Sequence, residues 1–221
     1  MGVDADGRGR NLASEGGEER GSDTRRRLLA SAEELVRARG FNGFSYADLA
    51  RAVGVRTASI HYHFPGKADL GLALVEAYDA RYEAAMAAIA RESEDGARRV
   101  RAYAALYAGG LEDNLGCLCA MLAASPELLS APMRAATRTF FRKHVAWLAE
   151  VIEAGRTNGT TRPGADAREL ARAIVALLEG ALLLERLLDG REGFRSALAS
   201  IERQIAPDAD ERATPAPARS G

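Results

Sequence analysis

The sequence predicts an all-α protein, with a small three-helix part at the N-terminal end and a larger helical part after it. Three observations carry this. Between the chain ends β-branched residues are sparse, and Ala, Leu, Arg and Glu dominate, a composition that favours helix over strand. Apolar residues recur at three- and four-residue spacing in one segment after another, the period of a helix with one buried face. These segments start at capping residues and stop at glycine or proline, the ordinary helix punctuation.

Residues 1–21 contain many Gly, Arg, Asp and Glu and almost nothing apolar, and 207–221 read the same way. Both are expected to be disordered tails, because they cannot bury enough surface to offset their ordering. A first helix is expected from Asp23, a good N-cap, with Leu28, Leu29, Ala32, Leu35 and Val36 on one stripe. Gly40 followed by Phe41 suits a Schellman stop. Ser45 then opens a second helix, with Asp48 three residues on forming a capping-box-like pair. That helix carries Leu49, Ala50 and Val53 inward and ends at Gly54, and a short third segment from Thr57 to Phe64 stops at Pro65.

Longer helices follow. Residues 67–92 place Leu70, Leu74, Tyr78, Tyr82 and Ile89 on one side. Residues 97–115 and a short piece near 117–125, closed by Pro126, come next. Residues 132–158 carry Phe140, Phe141, His144, Trp147, Leu148 and Val151. The loop RTNGTTRPGAD breaks the pattern, and Asp166 with Glu169 reads as another N-cap pair. Residues 167–189 are apolar nearly all round, and a last helix is expected over 192–205. The domains are thus expected at 22–67 and 68–206.

Composition removes several function classes. The two cysteines, Cys117 and Cys119, are too close together to staple distant segments, which argues against a secreted disulfide scaffold. No apolar run is long enough to span a bilayer and no signal-like apolar core opens the chain, so a cytoplasmic protein without membrane contact is expected. A Gly-rich phosphate loop, a nucleophile elbow and a metal-ligand cluster are all missing, so neither enzyme chemistry nor a cofactor is expected. His61 and His63 do not alter this. Two residues apart on a helix they point roughly 200° apart and cannot share an ion.

The stretch around those histidines carries a different chemistry. Helix, glycine turn, helix is the arrangement of a helix-turn-helix, whose second helix enters the DNA major groove. With Val55, Ile60 and Phe64 turned inward, the side chains left for a groove are Arg56, Thr57, Ser59, His61, Tyr62 and His63. Charge agrees with this. From Arg20 to Lys67 there are nine basic residues against four acidic ones, an excess of five in a chain of net charge −1. A basic module on an acidic body is the electrostatic footprint of a nucleic-acid-binding protein. A helical protein-interaction module without a DNA role is the alternative reading.

The segment FSYADLARAVGVRTASIHYHFPGKADL, preceded by LLASAEELVRARGF, resembles the N-terminal domain of TetR/AcrR-type transcriptional repressors over residues 24–75. The resemblance implies that the short third helix enters the major groove, and that the lysine after the Phe-Pro turn and the hydroxyl opening the second helix bind phosphates. Carried over, the DNA-binding residues are Ser45, Tyr46, Thr57, Ala58, Ser59, His61, Tyr62, His63 and Lys67. Two positions depart from the family pattern. Arg56 stands where a small capping serine is usual, so that either Thr57 caps instead or Arg56 reaches a base or phosphate. His61 stands where a tyrosine is usual. Arg56 and His61 are therefore where operator preference is expected to differ.

The resemblance further implies a helical C-terminal domain that binds a small-molecule effector and forms a homodimer through its last two long helices on operator DNA. Independently, a helix apolar on all faces calls for cover on every side, from a partner subunit or from an intramolecular core. Tyr103, Tyr107, Met121, Phe141, His144 and Trp147 are the large semi-polar residues expected around a ligand cavity. The segment LGCLCAMLAAS resembles a G-C-L-x-x-x-L-A-x-E segment of one TetR-type group that answers quinones, electrophiles or oxidants. This makes Cys117 a candidate reactive thiol, activated at a helix N-terminus. The alternative is an inert buried cysteine.

Overall fold

A computed structural model describes residues 9–188 and 191–207. Among these residues there are ten α-helices, one 3₁₀ turn and no strand. The chain divides into two compact units between Leu74 and Val75.

The first unit contains α1 (Gly9–Arg39), α2 (Tyr46–Val53), α3 (Thr57–His63) and the first residues of α4 (Lys67–Glu92). Its core is Leu28, Ala32, Val36, Phe44, Leu49, Val53, Ile60, Phe64, Leu70 and Leu74, each at most 6% exposed. The sequence-predicted stripe on α1 is thus the buried one, with Leu29 and Leu35 half-buried at its edges. The start of α1 is not where it was expected. Residues 9–21, assigned to a tail, are helical, and Asp23 lies inside α1, paired with Arg26 at 2.5 Å instead of capping. Once the Leu28–Val36 turns are packed, further residues extend a helix without repeating the cost of nucleation. Residues 1–8 and 208–221, also assigned to tails, lie outside the described residues. Gly40 takes φ 79° and its N–H donates to Val36 O at 2.8 Å, the single-bond form of a left-handed stop. Ser45 caps α2 as expected, and Gly54, at φ 75°, turns the chain from α2 toward α3.

The second unit holds the rest of α4 with α5 (Gly96–Ala105), α6 (Ala108–Glu112), α7 (Leu118–Ala123), α8 (Ala131–Thr157), α9 (Ala167–Leu188) and α10 (Glu192–Ile205). The single helix expected over 97–115 is two, α5 and α6, broken at Leu106–Tyr107 just before Gly109-Gly110, the poorest helix formers of the segment. α8 is the central element, packed on α5, α7 and α9, and α9 packs in turn on α6 and α10. Side-chain caps open α5, α8 and α9: Asp95 accepts from Arg98 N at 2.8 Å, Ser130 from Met133 N at 3.4 Å, and Asp166 from Glu169 N at 2.9 Å. α5 crosses α8 at glycine contact. A Cβ on Gly155 would lie 2.6 Å from Thr161 Cγ2 and 3.1 Å from Gly96 Cα, so the backbones approach only because neither residue has a side chain.

The expectation that residues 167–189 are buried on all sides is met on one face only. Ala171, Ile174, Val175, Leu178, Ala181 and Leu182 are buried, whereas Leu183, Leu184, Leu187 and Leu188 are 55–83% exposed. Among the described residues nothing covers that leucine face.

Candidate nucleic-acid interface and Cys117–Glu179 cavity

In the first unit, Ile60 and Phe64 anchor α3 by its inner side, and Val55 is half-buried. Outward face Arg56, Thr57, Ala58, His61 and Tyr62, with Ser59 and His63 half-buried at the margin. Tyr62 is 82% exposed, a high value for a tyrosine on a short, rigid helix. Arg56 occupies the N-cap position of α3 without making a side-chain cap bond, and Thr57 is the first helical residue. Of the two sequence alternatives, capping by Thr57 is therefore not adopted, and the Arg56 side chain stays available.

Around this helix the other motif residues act as struts. Ser45 Oγ donates to Asp48 Oδ2 at 2.7 Å and accepts from Asp48 N at 3.3 Å, while Ser45 N donates to Asp48 Oδ2 at 2.9 Å. Those bonds, followed by Arg51, hold the Asp48 carboxyl below the usual carboxylate range. Tyr46 Oη donates to Phe64 O at 3.0 Å and its ring stands edge-on to His61, 4.9 Å between centroids. Burial, then Asp69, pushes the Tyr46 phenol up to about 12, so it stays a donor and ties α2 to the end of α3. Lys67 Nζ donates to Phe44 O at 2.5 Å and sits over the Phe44 and Phe41 rings at 4.3 and 5.0 Å. Burial lowers its pKa, but an ammonium has three donors and only one is used here.

The second unit contains a hydrogen-bonded chain that the sequence did not reveal as connected. Tyr107 Oη donates to Glu179 Oε1 at 3.3 Å, Tyr103 and Tyr107 hydroxyls meet at 3.3 Å, and Tyr103 Oη meets His144 Nδ1 at 2.7 Å. All three ring residues are buried. Each phenol has one proton, so with Glu179 ionised the order is set: Tyr107 donates to Glu179, Tyr103 to Tyr107, and His144 Nδ1–H to Tyr103. His144 Nε2 is then a bare acceptor, consistent with its lack of any partner. Burial, then Lys143, lowers the His144 pKa to about 4, leaving a neutral imidazole among Phe140, Tyr82 and Tyr103.

The chain ends at a cavity of about 180 Å³ lined by Cys117, Met121 and Glu179 together with small and aliphatic residues of α7 and α9. Burial pushes the Glu179 carboxyl up to about 7, against hydrogen bonds from Cys117 and Tyr107 that pull it down, and its Oε2 is buried without a partner. Cys117 is the N-cap residue of α7, the place expected from the sequence. Its thiol is nonetheless driven up, first by burial and then by Glu179. Desolvation and a facing carboxylate outweigh the end of a helix only six residues long, so Cys117 is a protonated thiol here.

Of the expected ligand residues, Cys117 and Met121 border the cavity, Tyr107 reaches it through Glu179, and Tyr103 and His144 lie further along the chain. Trp147 packs on Tyr103 at 5.7 Å. Phe141 does not join them and faces a separate groove between α8 and α9. Sequence reasoning missed Glu179, although a single carboxylate inside the run AIVALLEGALLL was a usable signal.

The sequence and the fold agree with known proteins. Residues 28–74 match the family model "Bacterial regulatory proteins, tetR family", and residues 96–201 match "Tetracyclin repressor-like, C-terminal domain". The HTH-type transcriptional repressor NemR of Escherichia coli K12 is 30% identical over 194 residues, covering 85% of this chain and 96% of that protein. The crystal structure of reduced E. coli NemR superposes with a TM-score of 0.73 at 30% identity over 84% of this chain and 99% of that one. A TetR-family regulator from Agrobacterium tumefaciens superposes with a TM-score of 0.81 at 32% identity, again over 84% and 99%. The chain belongs to the TetR family and is a DNA-binding transcriptional regulator.

Proposed function

We propose that the protein is a repressor that binds a palindromic operator as a homodimer and is released by a small effector held in the Cys117–Glu179 cavity. The observation that carries the DNA half of this reading is the outward row Arg56, Thr57, Ala58, His61 and Tyr62 on a helix anchored from behind by Ile60 and Phe64. Ser59 and His63 complete the face at its margin, and Ser45, Tyr46 and Lys67 flank it, with Lys67 keeping two ammonium donors for a phosphate. Support for the dimer is the exposed leucine face of α9 beside a groove of about 450 Å³ between α9 and α10, bordered by Ala176, Gly180, Gly193, Ser196 and Ser200. Small residues there admit a partner's helices closely, and two-fold pairing is the commonest oligomer. Two recognition helices would then reach half-sites one DNA turn apart.

An effector suited to the cavity is small and apolar with one hydrogen-bond donor, since the wall offers aliphatic surface and one unpartnered carboxyl oxygen. Binding at a preformed cavity fits the geometry better than thiol modification, because Cys117 is buried and protonated. α4 contributes residues to both units and is the covalent link through which an effector signal would pass. Footprinting on the DNA beside its own gene, with Arg56→Gln and His61→Ala, tests the DNA half. If Arg56 reads a base edge, its replacement relaxes specificity at one operator position. If it grips a phosphate, the replacement weakens binding to all sequences and lowers the salt slope by about 1. Linkage tests the coupling: operator DNA must weaken effector binding by the factor by which effector weakens operator binding, and effector affinity unchanged by operator would refute it.

A further inference from the structure

Away from the Cys117 cavity, the second unit has a basic groove that the regulatory reading leaves unused. Arg138, Phe141, Arg142 and Val145 follow one another at i, i+3, i+4 and i+7 and so form one stripe of α8. Arg168 and Arg172, one turn apart on α9, line the same groove, whose volume is about 330 Å³. Its floor is the half-buried Phe141 and Val145, and its walls are four exposed guanidiniums. No carboxylate lines it. Among the described residues none of these four guanidiniums makes an ion pair or a side-chain hydrogen bond. Lys143, next to Arg142 on the same helix, shows the contrast: it bridges Asp79 at 2.6 Å and Glu83 at 2.5 Å.

Four cations that cannot lose their protons repel one another across an apolar floor, and nothing among the described residues relieves this. An oxyanion does so. A guanidinium offers a planar fork that matches carboxylate, sulfonate or phosphate oxygens in pairs. The aromatic floor adds what a bare inorganic anion would leave unused, a surface for an apolar body. We propose that this groove binds a small organic anion, its oxyanion head taken by Arg142 and Arg172 with Arg138 and Arg168 flanking, and its aromatic or aliphatic body laid on Phe141 and Val145. The site would be separate from the effector cavity and opposite to it in chemistry, since that cavity presents a carboxyl and this one presents cations.

Two probes of nearly one shape separate the terms: 8-anilinonaphthalene-1-sulfonate, which is anionic, and N-phenyl-1-naphthylamine, which is neutral. Each is titrated by fluorescence into the full chain. The sulfonate is expected to saturate at one per chain and to bind at least about tenfold more tightly than the neutral probe, with affinity falling as salt rises. Arg142→Gln with Arg172→Gln should weaken the sulfonate at least about tenfold and leave the neutral probe unchanged. Arg138→Gln with Arg168→Gln provides a second pair on the same groove, and circular dichroism checks the fold of each variant. Equal affinity for the two probes overturns the proposal, as does sulfonate binding that survives both double substitutions. So does a change of oligomeric state in the double variants without sulfonate binding to the parent chain, because the arginines would then be serving another subunit's carboxylates.

Discussion

Glu179→Gln isolates the charge state of the Cys117–Glu179 cavity. Burial pushes this carboxyl from its ordinary 4.5 up to about 7. A carboxyl whose folded pKa lies above its unfolded one keeps its proton on folding, so its contribution is fully present below about pH 4.5 and is lost as pH rises through about 7. Integrated over that window, the ionisable residue costs the folded state about 3 kcal/mol by pH 8, against about 1 kcal/mol at pH 5. Glutamine imitates the neutral acid: its carbonyl still accepts from Tyr107 and it never ionises. The variant should therefore exceed the parent in stability by about 3 kcal/mol at pH 8, and by about 1 at pH 5. Urea unfolding followed by circular dichroism, at one fixed protein concentration, measures both, and an m-value near 3 kcal/mol/M makes the pH 8 gap about 1 M in midpoint. A gap of the same size at both pH values would refute the reasoning, because it would arise from packing and not from ionisation.

Other perturbations test other parts of the molecule. Ile60→Ala empties a fully buried site behind α3 and should cost about 2–5 kcal/mol; hydrogen exchange should localise the loss to α2 and α3, and gel shift should show operator binding gone. Gly155→Val puts a side chain where Thr161 and Gly96 leave no room, and a thermal melt should show about 1–3 kcal/mol lost to overpacking. His144, with its pKa near 4, should show by NMR a neutral ring through pH 6–8. Because the unfolded chain takes up that proton first, stability should rise with pH between about 4 and 6.5 from this residue. Cys117 and Cys119, both buried, should resist iodoacetamide at pH 7.5 while folded and react fully in urea; rapid labelling of the folded protein, read by mass spectrometry, would revive the sensor-thiol reading.

Local chemistry was legible in the chain. The Ser45–Asp48 capping box, the left-handed Gly54, the Leu28–Val36 stripe and the Asp166 cap all involve residues within a few positions of one another, where propensity and hydrogen bonding act before any long-range contact. The outward row on α3 was legible for the same reason, since a seven-residue helix anchored at Ile60 leaves little choice of which side chains point outward. Where local signals conflicted, the reading slipped. The sequence 97–115 scans as one helix, but Gly109-Gly110 weakens it and the chain breaks at Leu106–Tyr107.

What tertiary structure alone decided were meetings between residues far apart in the chain, and the electrostatics that follow from them. Tyr103, Tyr107, His144 and Glu179 join across up to 72 positions, and no periodicity announces such a chain. The fate of Cys117 was settled in the same way. Its place at a helix start was readable, but burial and the approach of Glu179 from α9 reversed the expected shift of its thiol. Phe141 had the residue type expected around a ligand cavity, yet α8 does not border the Cys117–Glu179 cavity and Phe141 faces four arginines instead. Sequence by itself determined the helices, their caps and the outward face of α3, because those depend on neighbours along the chain. Which polar groups are desolvated, and by whom they are faced, depends on packing between helices, and only the folded structure supplies that.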